Sequence, residues 1–438
     1  MMRALEIIVA LIMVAILYLV VGVVMPDHGS TSRSVEVSHD FRQVYDILSN
    51  FRRFPDFGVL RAYDPNTRFT FSGPAYGVGA KVSWTSKNPK VGDGTLTITK
   101  DQPGASRVST QGSAEIDWAL TNDWDGHNKR IIVELERSGS NDRLVRVTMR
   151  YKVDYGWNLI DRYSRLYIHG EPAAFVQYTL GNLQNVLASI PNVSYNDLQP
   201  RIVETKPQAV LFVSTRAKRT LEDVSSATQK ALTEIDAAMK KLGVTQAGPR
   251  ITVTTDYGDQ NYAFDIAVPI NTSTLTVAGQ SYDLTQPGTP DAAAAGNTAQ
   301  PGTWQKNGAL VVAGNVSARM AFGGKALEAD MQASPASLPL MRLNLEAYAQ
   351  THGYAFDPNT HRLYDVVTSE VDPNTGMGGY AVYLPLTWGP DAVPGQSAQP
   401  AAAGSVAPAI VASVAAGASA GAPASAASVA PAVAATAG

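Results

Sequence analysis

The side chains that most suggest chemistry lie in one short stretch of the chain. It places carboxylates and an imidazole around two tryptophans: Asp117, Trp118, Asp123, Trp124, Asp125 and His127. An Asp and a His held side by side can transfer protons or bind a cation. The stretch Thr121 to Lys129 is also rich in Asn, Asp and Gly, which is typical of a hairpin loop that needs no chemistry. We favour the loop interpretation.

The remaining sequence lacks the motifs of the common enzyme classes. It contains no Gly-x-x-x-x-Gly-Lys-Ser/Thr phosphate loop, no His-Glu-x-x-His and no Gly-x-Ser-x-Gly. The chain has no Cys and its histidines are scattered, so we expect no metal site and assign no cofactor. The net charge is -3, without a basic field to attract polyanions, so we expect no nucleic acid partner.

The first element is an uncharged apolar run, Ile7 to Met25. Nineteen residues at about 1.5 Å each nearly cross a bilayer core of roughly 30 Å. A cleaved signal peptide is the alternative, but the run is long, only Arg3 precedes it as a basic residue, and no Ala-x-Ala follows. Residues 1–32 are therefore interpreted as a transmembrane anchor and linker. We expect a single-pass protein of the inner membrane with its bulk in the periplasm.

The sequence pattern predicts a first folded domain over residues 33–192. A short strand, Ser34 to Val37, precedes a helix that Asp40 can cap. Strand-like runs separated by turns follow, and a helix from Pro172 to Ile190 with one continuous apolar stripe closes the domain. This order indicates an antiparallel sheet that curves around a C-terminal helix.

The same residues resemble a known family. The resemblance is carried by the following motifs: Asp40-x-x-x-Val44-Tyr45-x-x-Leu48, Phe54-Pro55, Gly73-Pro74, Gly77-x-Gly79-Ala80-x-Val82-x-Trp84 and Leu180-Gly181-Asn182-Leu183. They look like the SRPBCC group, the START-related, polyketide cyclase/dehydrase-like helix-grip fold. The resemblance implies a cavity between the sheet and the long helix that holds a hydrophobic ligand.

Aromatic side chains are the candidates for lining such a cavity, because they offer apolar area and, in Tyr and Trp, a polar group. We select four as ligand-binding residues: Trp84, Trp118, Tyr151 and Tyr178. The alternative for each is that it simply fills the hydrophobic core.

Residues 199–388 contain an internal repeat. Each copy has a strand, a helix ended by Gly, two strands and a final apolar-Pro-apolar triplet. The first copy is built from strand Ala209 to Ser214, helix Leu221 to Leu242, Gly243 and the triplet Val268-Pro269-Ile270. The second is built from strand Asn315 to Gly323, helix Pro335 to His352, Gly353 and the triplet Leu384-Pro385-Leu386.

Two βαββ copies of this kind resemble the gyrase-inhibitor-like effector-binding domain. The resemblance implies a groove between the copies that takes amphipathic or cationic small molecules. The family usually has a ligand-facing Glu where this chain has Ala381, and Asp265 holds the equivalent place in the first copy. Glu370, Tyr364 and Tyr380 could partly replace the missing carboxylate, so we select Asp265, Tyr364 and Tyr380 as binding residues. The alternative is that Asp265 lies on an exposed strand face.

The sequence therefore predicts an α+β protein. It has an N-terminal transmembrane helix, a helix-grip antiparallel sheet domain and a duplicated βαββ domain, with residues 389–438 as a disordered Ala/Pro-rich tail. The predicted function is membrane-anchored binding or sensing of a hydrophobic or amphipathic small molecule. A cyclase- or hydrolase-type enzyme acting in one of the two pockets is the second hypothesis, and a scaffold without open pockets is the third.

Overall fold

The computed structural model describes residues 2–289 and 300–387, so the expected tail at 389–438 lies outside the described residues. The α+β class is confirmed. The described chain contains two large antiparallel sheets and one apolar N-terminal helix, α1, Met2–Val24. The part of this helix from Glu6 to Val24 is long and apolar enough to cross a membrane. Its apolar side chains are largely exposed, as the sequence pattern predicts for a helix that is not part of a core.

The first sheet has seven strands in the order β1-β7-β6-β5-β4-β3-β2, all antiparallel neighbours. Their bounds are β1 His28–Val37, β2 Arg68–Ser72, β3 Lys81–Thr85, β4 Gly94–Gln102, β5 Ser113–Asn122, β6 His127–Ser138 and β7 Leu144–Asp154. β1 begins six residues before the predicted strand, inside the expected linker. Its polar first half hides the strand in the sequence, and pairing with β7 from His28 opposite Asp154 creates it.

Short helices and one long helix accompany this sheet. They are α2 Phe41–Leu48, α3 Phe54–Phe57, α4 Leu60–Tyr63, α5 Leu159–Ser164 and α6 Glu171–Ala188. The predicted cap is confirmed, since the Asp40 carboxylate accepts a hydrogen bond from the backbone N–H of Arg42 at 2.9 Å. The apolar stripe of α6, including Val176, Leu180, Leu183 and Leu187, joins the core formed with the sheet.

The second sheet has nine strands in the order β14-β15-β9-β11-β10-β17-β18-β16-β8, and β12 and β13 form a separate hairpin. The bounds are β8 Arg201–Thr205, β9 Ala209–Lys218, β10 Ile251–Tyr257, β11 Asn261–Pro269, β12 Thr274–Val277, β13 Gln280–Asp283, β14 Leu310–Ala313, β15 Val316–Met320, β16 Gly324–Ala333, β17 Tyr364–Ser369 and β18 Gly378–Pro385.

Two helices cover one face of this sheet. α7, Leu221–Leu242, has the predicted bounds, and Gly243 ends it in the left-handed region with φ 67°. α8, Leu338–Thr351, is preceded by a 3₁₀ turn, so the predicted helix from Pro335 is interrupted at its start. Ile235 and Met239 of α7, and Met341 and Leu345 of α8, are buried against the sheet.

The strand before α8 differs from the prediction. The run 315–323 contains β15, which pairs with β9 at the far side of the sheet. The strand that leads into α8 is β16, which pairs along its length with β18, from Ala326 opposite Pro385 to Ala333 opposite Gly378. Both runs have strand composition, so only the pairing of distant strands identifies which one accompanies α8.

A polar junction connects α2, beside the seven-stranded sheet, with α8, on the nine-stranded sheet. The Asp46 carboxylate accepts hydrogen bonds from the Arg42 guanidinium at 2.8 Å and from the Tyr195 hydroxyl at 3.1 Å. The His352 ring lies 3.8 Å from the same carboxylate and stacks on Tyr348 with centroids 3.9 Å apart. Elements packed on the two sheets thus share buried polar groups.

Candidate functional site

The strongest candidate site is a cleft on the face of the nine-stranded sheet opposite α7 and α8. Alternation along β9 separates the two faces, because Leu211 and Val213 pack towards α7 whereas Val210, Phe212 and Ser214 belong to the cleft face. The cleft has a volume of about 870 Å³. Its lining comes from β9, β10, β11, β15, β17 and β18, and from the loop 359–362.

Asp265 lies in this cleft and is only 3% exposed, so it is not on an exposed strand face. Its carboxylate accepts one hydrogen bond from the Ser214 hydroxyl at 2.7 Å and one from the Arg319 guanidinium at 2.9 Å. The same guanidinium lies 4.3 Å from the centre of the Phe212 ring. The carboxylate is therefore neutralised by an arginine that also covers an aromatic ring.

Tyr364 lies in the cleft beside a residue that the sequence reasoning missed, Tyr383. The two rings stack with centroids 4.8 Å apart and planes 8° from parallel. The Tyr383 hydroxyl donates to Glu328 at 2.8 Å, and Glu328 in turn accepts from Arg201 at 2.9 Å. Burial raises the pKa of Tyr364 to about 12, so its hydroxyl stays protonated at neutral pH.

Tyr380 is not brought together with these residues. Along β18 it alternates with the cleft-facing Tyr383 and lies on the same face as Val382 and Leu384, which pack towards α8. Tyr383 could have been found by counting two positions from Ala381, which shares its face. The sequence did not indicate Arg319, because its strand was expected to open the second copy and not to pair with β9.

The charged lining of the cleft is mainly cationic. Its basic residues are Lys206, Arg319 and Arg362. Within the described part of the chain, Asp265 is the only acidic residue of the lining. The Arg362 guanidinium donates to the carbonyl oxygen of Thr255. Because Asp265 is already paired with Arg319, the two remaining cations dominate the field in the cleft.

A second, smaller cavity lies beside the seven-stranded sheet. It measures about 350 Å³ and lies between the sheet, α4 and the N-terminal end of α6. Of the four selected aromatic residues, Trp84 lines it. The indole N–H of Trp84 is buried and makes no hydrogen bond with the described protein atoms, so it offers a donor to a ligand.

The other selected aromatic residues lie outside the lining of this cavity. Trp118 is fully buried and packs edge to face against Phe51 and Phe54, as a core residue does. Tyr151 is buried against Trp124, with ring centroids 5.7 Å apart, and burial raises its pKa. Tyr178 is half-buried on α6. Trp118 and Tyr151 thus fit the core-filling alternative stated for each aromatic residue.

The Asp- and His-rich stretch is a loop, as favoured from the sequence. Residues 123–126 connect β5 to β6, and Gly126 adopts φ 89° within the turn. The Asp125 carboxylate accepts a hydrogen bond from the Ser164 hydroxyl, which ties the loop to α5. The stretch therefore has a structural explanation.

Comparison with known proteins finds only distant likenesses. No family model matches the chain, and no curated protein matches it. The crystal structure of the EcmrR C-terminal domain is similar at 13% identity and TM-score 0.30, over 43% of this chain and 97% of that one. XoxI from Bacillus cereus is similar at 13% identity and TM-score 0.25, over 37% of this chain and 96% of that one. A hypothetical protein from Helicobacter pylori is similar at 9% identity and TM-score 0.26, over 37% of this chain and 89% of that one.

These values are too low to support an argument about function, and the SRPBCC resemblance of the first domain stays a prediction. One expectation is corrected. EcmrR is also similar, at 13% identity and TM-score 0.31, in a structure of its complex with DNA, over 52% of this chain and 71% of that one. The exclusion of nucleic acid, which was drawn from the net charge of -3, therefore does not stand. A net charge averages over the whole chain and does not report local surfaces.

Proposed function

We propose that the second domain binds a hydrophobic or amphipathic small molecule in the cleft of its nine-stranded sheet. The observation that carries this proposal is the lining of the 870 Å³ cleft, which contains the stacked rings of Tyr364 and Tyr383 together with the buried Asp265 and its partner Arg319. Ligand sites are typically clefts of about 300–1,000 Å³ with aromatic walls and a few polar groups. The cleft fits that description in both size and chemistry.

The charges favour a neutral or anionic ligand over a cationic one. The carboxylate in the lining is already paired with Arg319, whereas Lys206 and Arg362 add positive charge. A cation would have to displace Arg319 from Asp265, while an anion would interact favourably with the existing field. This preference differs from the cationic ligands that the family resemblance implies, and Ala381 in place of the family's Glu supports the difference.

The finer fold assignment is also a proposal. Across the sheet, the strands of the first copy lie in the order β9-β11-β10 and those of the second in the order β17-β18-β16. Each copy thus places its first, third and second strands side by side, and the two second strands, β10 and β17, are neighbours. The two halves meet where Ile251, Thr252 and Val253 pair antiparallel with Val366, Asp365 and Tyr364. This arrangement supports two βαββ copies related by a pseudo-twofold axis, as in the gyrase-inhibitor-like domain. The helix-grip order of the first domain likewise supports the SRPBCC assignment and a ligand in its smaller cavity.

Binding is favoured over catalysis in the larger cleft. Asp265 is held by two hydrogen bonds, and the one from Arg319 is also an ion pair, which suits a structural and recognition role better than proton transfer. The hydroxyl of Tyr383 is likewise committed to Glu328. We therefore keep ligand binding or sensing as the function of this domain.

We also propose that α1 remains attached as a single-pass anchor in the inner membrane, with the folded domains in the periplasm. Arg162 is buried and its guanidinium donates to the carbonyl oxygens of Gly22, Val23 and Met25, at 3.4, 3.0 and 3.2 Å. These carbonyls end the helix and have no partners within it, and a cation suits the negative end of the helix dipole. Cleavage of a signal peptide after Met25 would remove these three acceptors and leave the guanidinium with the carbonyl oxygen of Gly156, to which its Nε donates at 2.7 Å.

The binding proposal is tested with the full chain in lipid nanodiscs by equilibrium dialysis, with empty nanodiscs as the blank. The probes are anionic 8-anilinonaphthalene-1-sulfonate and cationic rhodamine 6G. We expect tighter binding of the anion, and a loss of about tenfold in Tyr364→Ala, since one aromatic contact contributes about 1.4 kcal/mol. Tyr257→Ala is the matched control, because Tyr257 is partly exposed on β10 outside the lining, and it should bind as the wild type does.

A preference for rhodamine 6G would contradict the proposed ligand charge. Equal binding by Tyr364→Ala and by the wild type would contradict the proposed site.

A further inference from the structure

A cluster of exposed apolar side chains surrounds α5 and the 3₁₀ turn that follows it, Arg165–Tyr167. Its members and their exposed fractions are Trp157 85%, Ile160 71%, Leu166 63% and Tyr167 75%. Four large apolar groups within eleven residues are costly to leave in water, and such a concentration marks an interaction surface. We call these four residues the α5 patch.

The α5 patch is held against the last turns of α1. The ring of Tyr163 stacks on Tyr18 with centroids 4.3 Å apart, and its hydroxyl donates to the Tyr18 carbonyl oxygen at 2.6 Å. A Cβ atom at Gly22 would lie 3.3 Å from the Cβ of Leu159, so α5 approaches the backbone of α1 closely. Together with the three Arg162 hydrogen bonds, these contacts fix the position of α5 along α1.

That position determines a depth relative to a bilayer. Tyr18 precedes the end of α1 at Val24 by six residues, which at about 1.5 Å per residue is about 9 Å along the helix axis. If α1 spans the membrane, α5 lies beside its final 9 Å, at the boundary between acyl chains and headgroups. Trp and Tyr are the residues that prefer this boundary, because their rings are apolar with one polar edge.

We infer that the α5 patch is a second, peripheral membrane contact that sits in the headgroup region next to the end of α1. The inference rests on the proposed anchoring by α1. The one buried cation of the segment, Arg162, is turned inward onto the carbonyls of α1 and its guanidinium lies 5.2 Å from the Trp157 ring centre, so the apolar residues face outward. The patch thereby limits how the first domain can tilt on its anchor.

The test uses site-specific fluorescence, which the absence of Cys from the chain makes simple. Full-length Ile160→Cys is labelled with a nitrobenzoxadiazole fluorophore and reconstituted into phosphatidylcholine–phosphatidylglycerol liposomes. Quenching is measured with lipids carrying a doxyl group at acyl carbon 5 and, separately, with aqueous iodide. Val14→Cys, within α1, reports insertion of the anchor, and Leu221→Cys, exposed at the start of α7, reports the aqueous phase.

We expect at least twofold stronger doxyl quenching and twofold weaker iodide quenching at Ile160→Cys than at Leu221→Cys, and the same at Leu166→Cys. If Val14→Cys is quenched by the doxyl lipid while Ile160→Cys and Leu166→Cys behave like Leu221→Cys, anchoring by α1 is supported. The membrane contact of the α5 patch is then refuted. If Val14→Cys also behaves like Leu221→Cys, both the anchoring and the inference are refuted.

Discussion

At the scale of single residues, the cleft depends on an ion pair behind it. Asp365 lies between the cleft-lining Tyr364 and Val366, but its carboxylate faces α8 and accepts from Arg342, with Nε–Oδ1 at 2.8 Å. Both side chains are buried, and the Arg342 guanidinium lies 5.6 Å from the Tyr262 ring centre. Burial alone would lower the pKa of Arg342, but Asp365 outweighs it and raises that pKa. The pair fixes α8 to the strand that carries Tyr364.

Removing one partner of this pair should destabilise the protein strongly. Asp365→Ala leaves the Arg342 guanidinium buried without a counter-charge, so we expect the free energy of unfolding to fall by about 3–5 kcal/mol. The measurement is urea denaturation of the full chain in detergent micelles. The double variant Arg342→Met with Asp365→Leu should recover most of the loss, because it removes both buried charges together. A single variant as stable as the wild type would refute the importance of this pair.

At the scale of elements, two helical glycines show how one substitution can act with opposite signs. Gly243 ends α7 with φ 67°, a conformation that a side chain disfavours. Gly181 lies inside α6, where a Cβ would meet open space and the backbone is ordinary helix. The difference between them is thus one of backbone conformation and not of packing.

We expect Gly243→Ala to lower the free energy of unfolding by about 1 kcal/mol, because alanine must adopt the left-handed region. Gly181→Ala should raise it by about 0.5–1 kcal/mol, because glycine is the poorer helix former. Thermal denaturation of both variants beside the wild type measures the two signs. Stabilisation by Gly243→Ala would show that α7 does not end in the described conformation.

At the scale of the whole molecule, the α2–α8 junction links the free energy of unfolding to pH. Burial lowers the pKa of His352 below its usual 6.5, although Asp46 partly opposes this effect. Burial also lowers the pKa of His39, whose ring contacts the Leu187 carbonyl. Both imidazoles are therefore neutral in the folded protein at pH values where the unfolded chain binds a proton.

The sign follows from that difference in bound protons. The contribution of each imidazole to the free energy of unfolding is fully present well above pH 6.5. It is lost as the pH falls below 6.5, by at most about 1.4 kcal/mol per pH unit for each histidine. His352→Gln should reduce the slope of unfolding free energy against pH between 6.5 and 5.5, as measured by urea denaturation. Above pH 7.5 the curves of the variant and the wild type should run parallel. An unchanged slope below pH 6.5 would mean that His352 is not buried in the neutral form.

Much of the local structure follows from the sequence alone. The 3.6-residue periodicity gives the bounds of α7 and the buried face of α6, because each helix forms from contacts within a few residues. Capping at Asp40 and Gly243 is equally local. The apolar composition of α1 makes it suitable for a membrane without reference to any other element. The α+β class follows from these elements taken together.

Tertiary structure decided what depends on strands that are distant in the chain. The polar start of β1 becomes a strand only by pairing with β7, and β16 rather than β15 leads into α8 because β18 pairs with it. The cleft is also decided at this level, since Asp265 and Arg319 are 54 positions apart and meet only when β9 lies between β11 and β15. Tyr380 and Tyr383 are three positions apart on β18 and therefore lie on opposite faces, and the pairing register of β18 decides which of them faces the cleft. Such register is set by long-range pairing and burial, which composition and spacing do not specify.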